Sequence, residues 1–527
     1  MSNHENHAGC GCCSFSRRSF LTTGCAAACA GAIGTTSGLI LPSHVARADD
    51  NNGNMKVRVL FALHAPKQAV PDWPNIGYNF VPIMDKTIEA LTNGCPGIDF
   101  IPTTATGPEE AQQIIDADNN IDGYIVMQMN CWNRVVQTTL TSGKPVLYAD
   151  FPYAGSGGFL VYTAKEVREK TPNFAFLPSG KIDDLVEAAK CFLLVKNGQS
   201  VQDFSNAVTN VRIERTANVG DLTCKEDKLD LLSMDELFEQ LKTARLLQVG
   251  GAWNGFVKET KESLGIDLVD MPFTELNDAW ANADEDQAKE VAERWKKGAV
   301  MVDNISDETL FTSAKMYLGM KACLKNHNAC GITVNCLGGF YGNHIHAYPC
   351  LGFHELLNEG LIGACECDNR SSITMITMTA LTKGRPGYIS DPVVDIANRQ
   401  IIYAHCVASN KAFGPQGPAN PYTIMTHSED RQGASLRSTL PLDYMTSTLE
   451  FAPERKLILF HQAVAVDNSL EDRACRTKLA AVPVGDFEKI FTQWDEWGWH
   501  RVTYYGDLKE SVYAIADRLG WKVIEEA

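Results

Sequence analysis

The sequence predicts an α/β protein: two doubly wound, Rossmann-like domains followed by a β-rich, barrel-like domain. Three observations carry this. Short apolar strands alternate with helical periods through the first half of the chain, the signature of parallel sheets covered by helices. From Ile389 the texture changes to short strands separated by Gly, Pro and Asn turns, as in Phe413-Gly414-Pro415-Gln416-Gly417-Pro418, which reads as a small barrel or sandwich. A chain of 527 residues is also too long for one hydrophobic core. The expected units are an export signal at 1–48, α/β domains at 49–225 and 226–365, and a barrel with a terminal βαβ segment at 366–527.

The export signal is read from three features in order: Ser16-Arg17-Arg18-Ser19-Phe20-Leu21, a weakly apolar run from Gly24 to Leu41, and Ala46-Arg47-Ala48 before Asp49. This is the pattern of a twin-arginine signal cut after small residues, so the expected location is periplasmic or otherwise extracytoplasmic. That route carries proteins that are already folded. The run is too polar to span a membrane, and no span is expected in the mature protein.

In the first α/β unit, Lys56 to Leu63 reads as a buried strand, and Tyr78 to Leu91 as an amphipathic helix. A strand at Ile98 to Ile101, a helix opened by Pro108-Glu109-Glu110, and strands at Gly123 to Met129 and Lys144 to Ala149 follow. Ligands in such sheets lie beyond the carboxyl ends of strands, which nominates the loops Asn130-Cys131-Trp132-Asn133 and Asp150-Phe151-Pro152-Tyr153. The second unit opens with the strand Thr243 to Gly251, continues through helices at Asp284 to Lys297 and Ser306 to Asn326, and reaches a strand at Ala329 to Asn335. Its Gly250-Gly251-Ala252-Trp253 turn is not a G-x-G-x-x-G fingerprint, so no dinucleotide site is expected. Antiparallel strands are expected at Ser438 to Leu442, Thr448 to Phe451 and Lys456 to Phe460. The strand Arg501 to Tyr505, the helix Leu508 to Leu519 and the strand Trp521 to Ile524 complete the chain.

The formal charge is −17; the leader holds three Arg and one Glu, leaving the remainder near −19. Such a surface repels phosphate backbones and anionic lipids, which argues against nucleic-acid or membrane-surface partners. Five of the 17 cysteines fall in the leader. The other twelve are scattered singly through apolar stretches and read as small buried hydrophobes. On a strand, Cys365 and Cys367 would share one face, opposite Glu366.

Polar side chains concentrate between Asn335 and Asp368, with His344, His346, His354, Glu355, Glu359, Glu366 and Asp368 in an apolar setting. Glu366 and Asp368, two apart on an extended segment, would face one side and could both approach a hard divalent cation. His405, His427 and His500 stand at strand ends. Asp391 and Asp395, beside Pro392, are most simply turn formers.

The order of Gly363-Ala364-Cys365-Glu366-Cys367-Asp368, Leu381-Thr382-Lys383-Gly384-Arg385-Pro386, Asp391-Pro392, Ala404-His405-Cys406, Cys475-Arg476-Thr477 and Gly498-Trp499-His500-Arg501 resembles the C-terminal half of the L-fucose and L-arabinose isomerase superfamily. The resemblance implies a homo-oligomer that interconverts an aldose and a ketose, using a divalent cation, most often Mn²⁺, with Mg²⁺ or Co²⁺ possible. It implies Asp368, Glu366 and His500 as metal ligands and Glu366 with Glu355 as the catalytic carboxylates, the second one lying shortly upstream of Glu366, where the chain offers His354, Glu355 and Glu359. His405, His427, Trp499 and Tyr348 would bind a small neutral carbohydrate. Two other readings share these residues: an exported, non-catalytic sugar-binding protein, and a metal-dependent epimerase or lyase acting on a carbohydrate.

Overall fold

The computed structural model of the chain describes residues 53–251 and 254–527; the expected export signal lies outside them. The first sheet is parallel and holds β1 (Met55–Ala62), β2 (Ile98–Ala105), β3 (Gly123–Gln128), β4 (Val146–Asp150) and β5 (Phe174–Leu177) in the order β2-β1-β3-β4-β5. Every residue of β3, β4 and β5 is buried, which explains their unbroken apolar runs: helices cover both faces. Pro108 opens its helix, Pro108–Ala117, where the absent N–H would have no partner anyway, with Glu109 and Glu110 in the first turn favoured by the helix dipole.

The second sheet is also parallel. It comprises β6 (Arg245–Val249), β7 (Asp267–Met271), β9 (Gly331–Val334) and β10 (Ile362–Ala364), ordered β10-β9-β6-β7. Asp284 caps the helix Glu285–Gly298 by accepting from Gln287 N, and Ser306 caps Asp307–Asn326 by accepting from Thr309 N, so both helices start where side-chain oxygens satisfy orphan N–H groups. Between β7 and β9, β8 (Met301–Val302) joins a small separate sheet with β13 (Tyr422–Met425) and β14 (Ser435–Ser438).

The third sheet closes on itself. Strands β11 (Tyr388–Asp395), β12 (Gln400–His405), β15 (Met445–Ala452), β16 (Leu457–Asn468), β17 (Thr477–Pro483) and β18 (Arg501–Tyr505) run β15-β18-β11-β12-β17-β16, and β16 pairs back with β15. The result is a six-stranded antiparallel barrel, with β19 (Lys522–Glu525) added in parallel to β16. Alternate residues of β12 join different cores: Ile401 and Tyr403 pack with the first α/β domain, Ile402 and Ala404 with the second. A two-residue period therefore wedges the barrel between both domains.

Two expectations are corrected here. The strand expected at Ser438 to Leu442 lies at Ser435–Ser438; Pro441, which has no N–H for a ladder, follows its end. Asp391 and Pro392 sit inside β11 rather than in a turn. A proline is tolerated because β18 pairs only with Tyr388 to Ser390 of this strand, so Pro392 lies beyond that ladder. Among the described residues, no helix is long and apolar enough to cross a membrane.

Candidate functional site

The site begins where β10 ends. Glu366 and Cys367 adopt φ of 59° and 53°, two consecutive non-glycine residues in the left-handed region, each costing about 1–3 kcal/mol. The expectation of an extended segment with alternating faces is thereby overturned. Neighbouring strand ends hold the turn: Cys367 N donates to Val334 O at 3.0 Å, and the Cys367 thiol donates to Gly251 O at 3.0 Å. A Cβ on Gly251 would meet the Cys367 sulfur at 2.9 Å, so the close approach needs glycine there. Asp368 then caps the helix Asn369–Leu381, its Oδ1 accepting from Ser371 N at 3.0 Å.

The barrel supplies the facing groups. Asp391 on β11, His405 at the end of β12 and His500 just before β18 lie on adjacent strands, with Asp391 opposite Ala404 and Ser390 opposite Arg501. His500 Nδ1 is 2.9 Å from Asp368 Oδ2, and its Nε2 is 3.5 Å from Asp391 Oδ1 and 3.9 Å from Glu366 Oε2. Ligand atoms of Asp391, His405 and His500 lie within 4.8 Å of one another, as do those of Cys365, Glu366 and His405.

Hydrogen bonding separates the roles of the two histidines. Because His500 Nδ1 faces a carboxylate, that nitrogen keeps its proton; Nε2 carries the lone pair in the neutral ring, the form a bound cation would select by displacing the second proton. That Nε2 is buried and has no hydrogen-bond partner among the described residues. At His405 the Cys406 backbone N–H donates to Nδ1 at 2.8 Å, so the neutral ring carries its proton on Nε2 and presents a donor. Asp391, His405 and His500 on one side, and Cys365, Glu366 and His405 on the other, thus form two overlapping groups whose donor atoms could hold a cation, with Asp368 bracing the His500 imidazole from behind. Burial opposes charge on His500, but the Asp368 hydrogen bond and the carboxylates of Asp391 and Glu366 outweigh it and lift the imidazole to about 9. A fourth carboxylate, Glu450, accepts from Ser371 Oγ with both oxygens at 3.2 Å. Burial first, then the charge of Asp368, hold it well above its usual range.

Aromatic walls flank this group. Trp499 lies 5.0 Å, centroid to centroid, from Trp132, which makes an edge contact with Tyr162. The loop after β3 therefore reaches the barrel next to His500, as its place at a strand's carboxyl end suggests. In the loop after β4, Phe151 is covered by the Arg473 guanidinium at 4.4 Å.

Tyr348 and His427 form an adjoining group. Both reach Asp430: His427 Nδ1 lies 3.2 Å from Oδ1 and the Tyr348 hydroxyl donates to Oδ2. Phe340 stacks on Tyr348 and meets His427 edge-on. Burial lowers the His427 imidazole, yet the Asp430 bond and the neighbouring Cys406 raise it to about 9.

The upstream carboxylate expected as catalytic is not brought here. Glu355 accepts from Arg294 Nη1 at 2.6 Å and Trp295 Nε1 at 2.8 Å. Glu359 is taken by Tyr317 and Lys321, and His354 bonds Ala408 O at 2.7 Å. A second carboxylate facing His500 Nε2 comes instead from downstream, Asp391, whose strand position its Asp-Pro pairing concealed. The twelve described cysteines are free thiols, most of them buried; Cys336 and Cys365 lie with their sulfurs 3.2 Å apart.

No family model matches the chain. Among curated proteins it is similar to sulfoquinovose isomerase of Priestia aryabhattai, 22% identical over 267 residues covering 50% of this chain and 58% of that protein. It is also similar to sulfoquinovose isomerase of Clostridium sp. (strain MSTE9), 23% identical over 306 residues covering 55% and 66%, and to that of Alkalicoccus urumqiensis, 25% identical over 207 residues covering 36% and 45%. The chain thus spans about half to two thirds of the length of these relatives. Of solved structures, a carbohydrate transporter from Acidothermus cellulolyticus 11B in complex with myo-inositol covers 53% of this chain at 10% identity, with a TM-score of 0.17.

Proposed function

We propose that the chain is a divalent-cation-dependent isomerase that interconverts an aldose and a ketose through an enediol. The observation that carries this reading is His500, whose Nδ1 is engaged by Asp368 while its buried Nε2 faces Asp391 and Glu366. An imidazole and two carboxylates are suitable donors for Mn²⁺, with Mg²⁺ or Co²⁺ as substitutes. Such an ion, when bound, polarises a sugar's carbonyl and adjacent hydroxyl.

The chain's own groups account for the rest. Glu366 takes the proton from one carbon and returns it to its neighbour, so the C–H bond broken at one centre is remade at the next. His405 gives its Nε2 proton to the carbonyl oxygen and recovers the one released by the neighbouring hydroxyl, so the protons on oxygen balance as well. Trp499 and Trp132 offer ring faces to the sugar, with Tyr348 and His427 extending the surface. Relatives named sulfoquinovose isomerase support a sugar as substrate. Export by the twin-arginine route and assembly as a homo-oligomer belong to the same reading; fractionation of the producing cells and light scattering test them.

The decisive experiment incubates Mn²⁺-loaded protein in D₂O with sulfoquinovose and a panel of neutral aldoses, followed by NMR and mass analysis. Ketose product carrying deuterium at C1, with deuterium at C2 of the recovered aldose, is the expected result. Binding without exchange would leave a sugar-binding protein, and loss of water or a carbon fragment would mean a lyase.

A further inference from the structure

We infer that Glu526 is a positioning residue for the candidate cation site, acting through Arg501 on the Gly498–Trp499–His500 turn. Glu526 follows β19, outside every motif that the sequence offers for chemistry, yet its side chain is 0% exposed. Its Oε1 accepts from Arg501 Nη2 at 2.8 Å and Nε at 3.2 Å, and Oε2 lies 2.9 Å from His461 Nδ1. His461 Nε2 is in turn 2.6 Å from the Tyr403 hydroxyl, and Glu526 N donates to Phe460 O at 2.8 Å.

The remaining face of the guanidinium holds the turn. Arg501 Nη1 donates to the carbonyls of His500 at 2.7 Å and Gly498 at 2.9 Å, and the group lies 3.9 Å over the Trp494 ring. Gly498 has φ +79° and ψ −175°, a backbone state open essentially to glycine alone. A turn of this kind persists only where its surroundings over-determine it. Arg501 is a rigid planar fork, so fixing two of its nitrogens on Glu526 aims the third at both carbonyls. His500 is thereby held at two points, its carbonyl by Arg501 and its Nδ1 by Asp368. Burial opposes the Glu526 charge, but Arg501 and His461 hold its carboxyl down at about 2, so the anchor is ionised throughout the working range.

The inference rests on the cation reading for its functional consequence, and one experiment keeps the two apart. Glu526→Gln, Glu526→Asp and His461→Gln are compared with the intact chain by hydrogen-exchange mass spectrometry of the 494–503 segment and by Mn²⁺ titration, counting free Mn²⁺ by EPR well below each variant's melting temperature. His461→Gln is the structural control, because it breaks an equally buried bond to Glu526 while leaving the Arg501 pair. Glu526→Gln is expected to speed exchange in the segment and weaken Mn²⁺ binding about tenfold, the size seen when outer-shell partners are lost. His461→Gln should do neither, and Glu526→Asp, which keeps the charge, should restore most of both. Unchanged exchange in Glu526→Gln, or equal effects in His461→Gln, overturns the inference. If the unaltered chain binds no Mn²⁺, the cation reading fails while the exchange arm still decides whether Glu526 holds the turn.

Discussion

His500 Nδ1 and Asp368 Oδ2 stand 2.9 Å apart although 132 residues separate them in the chain. One residue caps the helix Asn369–Leu381 and the other immediately precedes barrel strand β18, so the contact ties helix to barrel and fixes which imidazole nitrogen faces the carboxylates. Asp368→Asn is expected to lower Mn²⁺ affinity about 10- to 100-fold, and His500→Ala to abolish binding. Metal content after dialysis measures both; unchanged content in the two variants removes the site.

Glu355 offers the opposite test. Its partners, Arg294 and Trp295, lie away from the cluster, so Glu355→Gln should cost stability, about 1–3 kcal/mol from weakened bonds to a buried carboxylate. Proton exchange on the sugar should continue at the original rate. A folded variant that has lost exchange would reinstate Glu355 as the base.

Asp150, buried at the end of β4, gives a pH signature in the first domain. Burial pushes its carboxyl up to about 7 against the hydrogen bond from Ser156 and the charge of Arg473. Since this lies above the unfolded value near 3.8, the folded state binds the proton more tightly. Its contribution is complete below about pH 4 and lost as pH rises through 7, by on the order of 4 kcal/mol. Denaturant unfolding across pH 4 to 8 should show Asp150→Asn gaining relative stability over that window; a constant difference between the two proteins would refute the assignment.

Trp132→Ala should raise the KM for the sugar about 3- to 10-fold with kcat nearly unchanged, the scale of one lost aromatic contact. Steady-state kinetics on any accepted sugar decide this. An unaltered KM would mean that Trp132 only packs against Trp499 and Tyr162.

Much of the fold was legible in the chain because it is written in local periods. The buried runs of β3 and β4, the proline at Pro108 and the caps at Asp284 and Ser306 all act within a few residues, so each can be read without its neighbours. Asp391 was misread for the same reason: the Asp-Pro pair is a good local turn signal, and only the ladder's ending at Ser390 makes Pro392 harmless inside a strand. Glu526 carried no local signal.

By itself the sequence determined the α/β-then-barrel architecture and the loops at strand ends, and it nominated Glu366, Asp368, His405 and His500 as candidates for the site. The tertiary structure decided which of these meet. It aimed Asp391, rather than Glu355, at the His500 Nε2 that Glu366 also faces, turned Asp368 onto Nδ1 of His500, and brought Trp132 from the first domain to Trp499. The physical reason is that ligation and hydrogen bonding depend on side-chain directions across strands far apart in the chain, set by register and by the strained Glu366–Cys367 turn. No local pattern encodes those directions.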